Sequence, residues 1–353
     1  MADPKLVRDW LFAAERGDLA TLKRLLTAEP GLVDTLGQGP YWEGSFRALH
    51  YAVARGHRRI VRWLLARGAS ARPVAGESDW APLHFAAVPL RPDLVRLLID
   101  HGAQMDIFVA AVLGNVRVVR QMLRNDPKLV TSRGPDGAMP LHFAGSPGVA
   151  KALLAAGADP QARDAFHHQT PVEWTIEKPE VVAVLVKGGA EIDLHLACAL
   201  GDLRRVKAFV RNSPNAVNAK FAGKEKTFCV EGETPLGIAA RYGQRQVVDF
   251  LLAQGASATG DPSPLPGAVA GGNRTIIKQL LEAGADPNAF GAHGYAALHA
   301  ATIHGNLAMI RMVLSTGASL DLKDNEHHST PVGWAAYHKH PRVVAFLKAR
   351  GGV

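Results

Sequence analysis

The feature that most constrains the fold is an internal repeat. Four segments of equal length align without gaps, and each ends on a Gly-Ala step. Every segment contains two short helical patterns, and neither pattern can bury its apolar side alone, so the repeats must stack on one another. The segments are RALHYAVARGHRRIVRWLLARGAS (47–70), APLHFAAVPLRPDLVRLLIDHGAQ (81–104), TPLGIAARYGQRQVVDFLLAQGAS (234–257) and AALHAATIHGNLAMIRMVLSTGAS (296–319).

Each repeat shows where its helices begin and end. The second helical pattern carries paired apolar residues, such as Ile60 and Val61 followed by Leu64 and Leu65, which share one face of a helix. Thr-Pro predicts the start of a first helix, and the glycine of Gly-Ala predicts a left-handed residue at the end of a second one. The glycines concerned are Gly68, Gly102, Gly157, Gly255, Gly284 and Gly317.

These segments resemble the ankyrin-repeat family, whose unit of about 33 residues has a T-P-L-H-x-A signature. The matching pieces include PLHFA twice, ALHAA, ALHYA, TPLGIA, TPVEW and TPVGWAA. The resemblance covers essentially the whole chain, which resembles a bacterial-type ankyrin-repeat domain protein. It implies an all-α repeat solenoid of about eleven stacked helix-turn-helix units, caps included, with β-hairpin fingers between the repeats along one edge.

The resemblance also predicts the domain organisation, a single elongated ankyrin-repeat domain over residues 1–353. Residues 1–45 are the predicted N-terminal capping unit with an extended finger, and 331–353 the C-terminal capping unit. Between them we expect a first repeat block at 46–190, with shortened units at 138–190. A second block follows at 191–330, with a long finger at 218–233.

The composition indicates the cellular environment of the protein more than its function. The formal net charge of +8 favours acidic partners only weakly, because the basic residues are scattered rather than clustered. The two cysteines, Cys198 and Cys229, fit a reducing compartment. No apolar run reaches the roughly 18 residues needed to span a bilayer, and the first residues lack the apolar core of a signal peptide. We therefore expect a cytoplasmic protein without a membrane partner.

The resemblance implies where a partner binds. Ankyrin repeats use their fingers and the two residues before the glycine that separates their helices. Here those positions are small or apolar in the middle and Arg, Tyr or His elsewhere, which predicts an apolar floor with a polar rim. Alternatively, the apolar ones pack against neighbouring helices. The predicted partner-binding residues are Arg16, Trp42, Arg55, Trp80, Val112, Leu113, Phe166, Leu200, Arg241, Tyr242, Tyr295, His304, Tyr337 and His338.

The main functional hypothesis is a non-catalytic scaffold that recognises a segment of a partner protein. The sequence has no phosphate-binding loop, nucleophile elbow, H-E-x-x-H helix or dinucleotide fingerprint. We therefore expect no cofactor and no catalytic residue.

Two shortened repeats suggest an alternative. The signature position and the glycine of Gly-Ala are 18 residues apart in the aligned repeats, but only 15 from His142 and 16 from Glu173. Short neighbours predict a notch, which favours a small-molecule site or an active site around Glu173 and Trp174. Glu173 would then act as an acid or base, with His142 and His195 as companions. The competing interpretations are a change of curvature and a purely structural hydrogen bond from Glu173.

A histidine-rich motif occurs twice, as HHQTPVEW (167–174) and HHSTPVGW (327–334). Adjacent histidines in a strand point to opposite faces, and no third ligand has metal-binding spacing, so we expect no metal site. The duplication makes Trp174 a packing residue. What remains distinctive in the first copy is Glu173, which is glycine in the second.

A third interpretation concerns the long finger at 218–233. Lys220, Lys224 and Lys226 alternate there with Phe221 and Phe228, as cations and aromatic rings do in proteins that bind single-stranded nucleic acid. The same finger carries glutamates, so the pattern is weak, and we do not expect nucleic acid to be the partner.

Overall fold

The computed structural model describes residues 3–38, 45–72, 80–222 and 229–353. The chain divides into two compact units, Met1–Ala190 and Glu191–Val353, called here the N-terminal and C-terminal halves. Regular structure in the described residues is almost entirely helical, as the repeat predicts for an all-α solenoid. The organisation as a single elongated domain stays a prediction.

The N-terminal half is built from short helices that follow one another in pairs. Its helices are α1 (Pro4–Arg16), α2 (Leu19–Ala28), α3 (Ala48–Arg55), α4 (Arg58–Leu65), α5 (Pro82–Ala87), α6 (Pro92–Asp100), α7 (Ile107–Val112), α8 (Val116–Asn125), α9 (Pro147–Ala155), α10 (Pro171–Trp174) and α11 (Pro179–Lys187). Short 3-10 helices cover Pro30–Asp34, Pro127–Thr131 and Pro135–Gly137.

One finger of the N-terminal half forms a two-stranded antiparallel sheet. Its strands are β1 (Gly37–Gln38) and β2 (Ser45–Phe46), with Gly37 opposite Phe46. This is the one sheet within the described ranges. In the other described fingers the chain turns without forming a sheet, and backbone hydrogen bonds such as Gly291 N–H to Tyr295 O close the turns.

The C-terminal half repeats the same helical pairing. Its helices are α12 (Leu194–Leu200), α13 (Leu203–Asn212), α14 (Pro235–Arg241), α15 (Arg245–Ala253), α16 (Leu265–Ala270), α17 (Arg274–Glu282), α18 (Ala297–Ile303), α19 (Leu307–Leu314), α20 (Pro331–Tyr337) and α21 (Pro341–Lys348). A 3-10 helix, Pro214–Asn218, follows α13.

Within each half, the first helices of successive repeats stack in a row. Helix α3 packs between α1 and α5, and α14, α16, α18 and α20 continue the pattern in the other half. Alanines such as Ala300 and Ala301 are buried in these rows, where small side chains allow close approach. Second helices cover the row through their apolar stripes, and Ile60, Val61 and Leu64 of α4 are buried as predicted.

The predicted helix boundaries are confirmed. Pro171, Pro235 and Pro331 each open a first helix directly after a threonine. The glycines of the Gly-Ala steps all have positive φ, which a residue without Cβ adopts without strain. Their φ values are 88° for Gly68, 87° for Gly102, 94° for Gly157, 84° for Gly255, 90° for Gly284 and 90° for Gly317.

The two shortened repeats lose length from their first helices. Residues 140–143 form a turn where a helix is expected, and α10 has only four residues. The second helices of both repeats begin at Pro147 and Pro179, as predicted. At Gly145 the chain approaches the preceding repeat so closely that a Cβ would lie 2.0 Å from the carbonyl oxygen of Val112. Backbone therefore fills part of the space that the trimmed helix leaves.

Side chains at the turn between two helices tie each repeat to the one before it. His57 Nε2 lies 2.8 Å from the carbonyl oxygen of Glu15, and Gln244 donates to Ala199 at 2.8 Å. His340 Nε2 makes the same contact with Ile303, at 3.0 Å. These carbonyls end first helices and have no partner inside their own helix, so the next repeat supplies one.

Candidate interaction site

The signature histidines hold the start of each first helix. The Nδ1 atoms of His50, His84 and His142 accept the backbone N–H three residues earlier, at 3.1, 2.8 and 3.1 Å. Glu173 occupies the same position, and its Oε2 accepts the N–H of Thr170 at 2.8 Å. The residue is 4% exposed. Glu173 therefore makes the hydrogen bond of a capping box in place of the histidine.

The duplicated motif is organised by a buried aspartate that precedes the histidines. Asp324 accepts hydrogen bonds from the backbone N–H groups of Glu326, His327 and Ser329, and from the indole Nε1 of Trp334 at 2.9 Å. Burial alone would raise the pKa of Asp324, but these donors outweigh it and hold that pKa below its ordinary range. We call this arrangement the Asp–Trp clamp.

The first copy contains the same clamp. Asp164 accepts from the backbone N–H groups of Phe166, His167 and Gln169, and from Trp174 Nε1 at 3.1 Å. Here too burial would raise the pKa of Asp164, and the N–H donors lower it on balance. The structure explains why both motifs contain an Asp ten residues before a Trp.

The histidine pairs lie in loops, not strands. His168 and His328 both have positive φ, at 56° and 50°. The strand geometry that we assumed for them is therefore wrong, because the clamp bends the backbone at that point. Among the described residues, no group of three or more His, Cys, Asp or Glu side chains is placed to hold a metal ion.

The second copy borders an open pocket of about 360 Å³, which we call the aromatic pocket. Tyr337 beside it is 82% exposed, and His338 lies edge-on to the Tyr337 ring at a centroid distance of 5.2 Å. The Trp334 ring lies 6.0 Å from His338. The lining residues are His327, Ser329, Gly333, Trp334, Tyr337 and His338.

Predicted binding residues from other repeats continue this surface. The Tyr295 ring packs against Trp334 at 5.0 Å, and His293 stacks on Tyr295 at 5.7 Å. Tyr295 and Glu233 line one small cavity. Burial raises the pKa of the Tyr295 phenol. In the C-terminal half, Tyr295 thus contacts Trp334 of the aromatic pocket and also lines a second, small cavity with Glu233.

Arg241 and Tyr242 lie at the end of α14, and Arg241 contacts Glu233 of the small cavity. Arg241 makes a bidentate pair with Glu233, with Nε–Oε1 at 3.1 Å and Nη2–Oε2 at 2.6 Å. Burial raises the pKa of Glu233, and the Arg241 charge opposes that rise. The Arg241 guanidinium also lies 5.3 Å from the centre of the Tyr242 ring. This pair fixes the position of Arg241 instead of leaving it to move in solvent.

The predicted residues of the N-terminal half are more dispersed. Val112 and Leu113 are half-buried and pack against the apolar core of that half, in line with the packing alternative. Arg55 pairs with Glu15 at 2.8 Å. Arg16 is exposed, with its guanidinium 5.3 Å from the ring centre of Phe12.

Two aromatic finger residues of this half have different environments. Trp80 is half-buried, and its Nε1 donates to Asp136 at 3.1 Å. Phe166 is 69% exposed and lies edge-on to His167 at 5.0 Å. Trp42 lies outside the described residues.

Other predicted residues of the C-terminal half lie apart from the aromatic pocket. Leu200 ends α12 and is half-buried. His304 is exposed, and its Nε2 lies 3.1 Å from the carbonyl oxygen of Ala270. His195 Nε2 lies 3.1 Å from the carbonyl oxygen of Ala219. His195 belongs to the C-terminal half, whereas Glu173 and His142 belong to the N-terminal half.

The long finger is closed at its base by backbone hydrogen bonds between Phe221 and both Gly232 and Glu233. Phe221 is buried and packs edge-on against His195 at 5.5 Å, so its ring has no open face for a nucleic-acid base. Lys224, Lys226 and Phe228 lie outside the described residues.

Comparison with protein families matches the chain to ankyrin repeats. A three-copy ankyrin model matches residues 10–108, 172–261, 194–291 and 265–352, and a single-repeat ankyrin model matches 136–165. The chain belongs to the ankyrin-repeat family. Ankyrin repeats are protein–protein interaction modules. No helix among the described residues is long and apolar enough to cross a membrane.

Similar proteins share this repeat region and extend beyond it. The E3 ubiquitin-protein ligase KEG of Arabidopsis thaliana is 26% identical over 319 residues, which cover 86% of this chain and 17% of the ligase. The B-cell lymphoma 3 protein homolog of Mus musculus is 27% identical over 274 residues, covering 74% of this chain and 54% of that protein. A putative ankyrin repeat-containing protein of Treponema pallidum is 38% identical over 98 residues, 26% of this chain and 33% of that protein. This chain thus spans about half or less of the length of these relatives.

Of the predicted binding residues, Tyr337 and His338 line the aromatic pocket, and Tyr295 contacts it through Trp334. The other lining residues, among them His327, Gly333 and Trp334, are not among the predicted binding residues. The signal that could have found them is the difference between the two motif copies. A large capping side chain is replaced by glycine beside an aromatic cluster.

Proposed function

We propose that the chain is a non-catalytic protein-binding module that holds a segment of a partner protein on its C-terminal half. The binding surface, called the aromatic surface, consists of Arg241, Tyr242, Tyr295, Trp334, Tyr337 and His338. The observation that carries the proposal is Tyr337, a large aromatic residue that is 82% exposed at the edge of an open pocket.

The chemistry of this surface suits a peptide segment. Tyr and Trp supply large contact areas at a small loss of conformational freedom. Together with Arg, they are enriched among the residues that dominate binding energy at protein interfaces. Tyr295 and Trp334 are held by their packing, and Arg241 by its pair with Glu233. The surface is therefore preorganised, which lowers the entropic cost of binding.

We do not propose catalysis at Glu173. Its carboxylate is buried and caps α10, which accounts for the residue by a structural role.

Affinity capture tests the proposal. The wild-type chain and the double variant Tyr242→Ala/Tyr337→Ala are immobilised, and partners that bind the wild type are identified and titrated. We expect the double variant to bind the partner at least about 30-fold more weakly, the effect of losing one or two interface hot spots.

Phe166→Ala provides the matched control, because it removes an exposed aromatic residue from the first motif copy. It should leave the affinity unchanged. A double variant that binds as tightly as the wild type, or a Phe166→Ala variant that loses binding equally, would rule out the aromatic surface as the binding site.

A further inference from the structure

We propose that the aromatic pocket binds an alkylated ammonium group, presented as a methylated lysine side chain of the bound segment. The presentation on a segment rests on the proposed function, whereas the affinity of the pocket for the cation does not.

The walls of the pocket have the chemistry of a cation site. The faces of aromatic rings carry partial negative charge and attract ammonium groups within about 6 Å of the ring centre. Trp334, Tyr337 and His338 all line the pocket, and their ring centroids lie 5.2 and 6.0 Å apart, so a cation bound there lies near more than one ring. Tyr295 supports Trp334 from behind at 5.0 Å.

The charge beneath the pocket favours a cation over an anion or a neutral group. Asp324 is 2% exposed, and the donors of its four hydrogen bonds are neutral N–H groups. No ion pair between Asp324 and a cation is found among the described residues. One of its donors is the Trp334 indole N–H, so the carboxylate polarises the indole toward higher electron density on its face. Glu326, exposed nearby, adds a second negative charge.

Glycine at position 333 keeps the pocket open. In the first motif copy the equivalent Glu173 is buried beside Trp174 and caps its helix. In the second copy Thr330 caps α20 with its own hydroxyl, which accepts the N–H of Gly333 at 3.4 Å. The capping side chain is therefore absent where the pocket lies, and the longer α20 adds Tyr337 at the rim.

The test compares choline with 3,3-dimethylbutan-1-ol, which has the same shape without the charge. Each is titrated at neutral pH into protein with ¹⁵N-labelled tryptophan, and the Trp334 indole signal, assigned with Trp334→Phe, is followed by NMR. We expect choline to bind at least about tenfold more tightly than the neutral alcohol, as cation–π attraction in a partly desolvated site predicts. Equal affinities would overturn the cation assignment and identify a merely apolar pocket.

Two variants locate the effect. Gly333→Gln places an uncharged capping side chain where the first copy has one, and it should reduce choline binding at least about tenfold. A Gln at this position completes a capping box with Thr330. Its Cβ would lie 2.2 Å from Ser329 Oγ, so that hydroxyl has to rotate away, and a thermal melt checks that the variant folds. Tyr337→Ala removes a mostly exposed ring and should also weaken choline binding, while Glu173→Gln should not. Unchanged choline binding in both pocket variants would overturn the site.

A separate experiment tests whether the bound group is a methylated lysine on a segment of the partner protein. Against the captured partner, Gly333→Gln should lower affinity as it does for choline. If choline binding is lost but the partner binds unchanged, the methylated lysine assignment is wrong. If the partner is lost with Tyr242→Ala/Tyr337→Ala and choline never binds, the proposed function stands and the cation pocket does not.

Discussion

The two copies of the histidine-rich motif share one clamp but differ in what surrounds it. In both, an aspartate accepts backbone N–H groups of its own loop and the indole N–H of a tryptophan ten residues later, at 3.1 and 2.9 Å. In both, a histidine of the preceding repeat reaches the same loop: His142 and His299 each lie 3.1 Å from the carbonyl oxygen of Gln169 or Ser329. The Asp–Trp clamp is therefore a structural feature of both copies and does not depend on the aromatic pocket beside the second copy.

The difference lies at the third residue of the helix that follows. Glu173 fills that position in the first copy, and α10 ends after four residues. Gly333 occupies it in the second copy, and the longer α20 carries Tyr337 beyond it. One side chain and one turn of helix therefore distinguish the two copies at the place where the second copy has its pocket.

The variants with the largest expected effect on stability remove the aspartate of each Asp–Trp clamp. Asp164→Ala and Asp324→Ala each leave four N–H donors without their acceptor, at about 1–3 kcal/mol for a fully buried group. Most of these donors are only partly buried, so water replaces part of the loss. We expect each variant to lower the free energy of unfolding by roughly 2–4 kcal/mol, measured by urea denaturation of the full chain. Asn replacements, which keep one acceptor oxygen, should lose less. A large loss at only one position would contradict the equivalence of the two clamps.

Acidification should weaken both copies by a smaller amount. Burial lowers the pKa of His142 and of His299 below the ordinary 6.5, so the folded chain resists protons that the unfolded chain accepts. The stabilising difference is complete above about pH 6.5 and is lost as the pH falls, at up to about 1.4 kcal/mol per pH unit for each histidine. Denaturation at pH 7.5, 6 and 5 measures it.

The matched variant for this experiment is His142→Asn, whose amide oxygen can replace Nδ1 as acceptor but cannot titrate. It should show a shallower pH dependence than the wild type. An unchanged slope would exclude His142 as a source of the acid sensitivity. Asp164 and Asp324, whose pKa values lie below the ordinary 3.8, add a further loss only as the pH falls below about 4.

We expect the smallest change in stability from substitutions at Glu173 and Gly333, the equivalent positions at which the two copies differ. Glu173→Ala should destabilise the chain by about 1 kcal/mol, because it removes the side chain that accepts the Thr170 N–H in the capping box. Gly333→Gln should be close to neutral, because the gain from removing a helical glycine is offset by the shift of Ser329 Oγ, which would lie 2.2 Å from the new Cβ. Thermal unfolding of the two variants measures both changes. A strongly destabilised Gly333→Gln variant would mean that the second copy requires glycine for packing, for example against Ser329.

Much of the fold follows directly from local sequence. Proline after threonine, positive-φ glycine after the second helix and the paired apolar stripe are short-range signals, and the structure places each where the pattern predicts. The starts of the shortened repeats' second helices, at Pro147 and Pro179, belong to the same class. The predicted notch is different, because the close approach of Gly145 to Val112 depends on how far neighbouring repeats move together.

The candidate site likewise contains residues that the sequence predicts and contacts that it does not. Tyr295, Tyr337 and His338 were predicted from their repeat positions, since the family's binding positions recur in each unit. Arg241 was predicted too, but its bidentate partner Glu233 was seen only as an acidic residue of the finger. A contact between a finger and a helix depends on the path of the loop, which repeat periodicity does not specify.

The sequence by itself determined that this chain is a stack of ankyrin repeats, because the hydrophobic spacing and the helix-end residues recur and act locally. It also determined that the two histidine-rich motifs are one structural element. Only the tertiary structure decided that Glu173 is a helix cap and that Gly333 opens a pocket among Trp334, Tyr337 and His338. The physical reason is that a side chain's role depends on the space left by its neighbours in other repeats, and that space is set by packing.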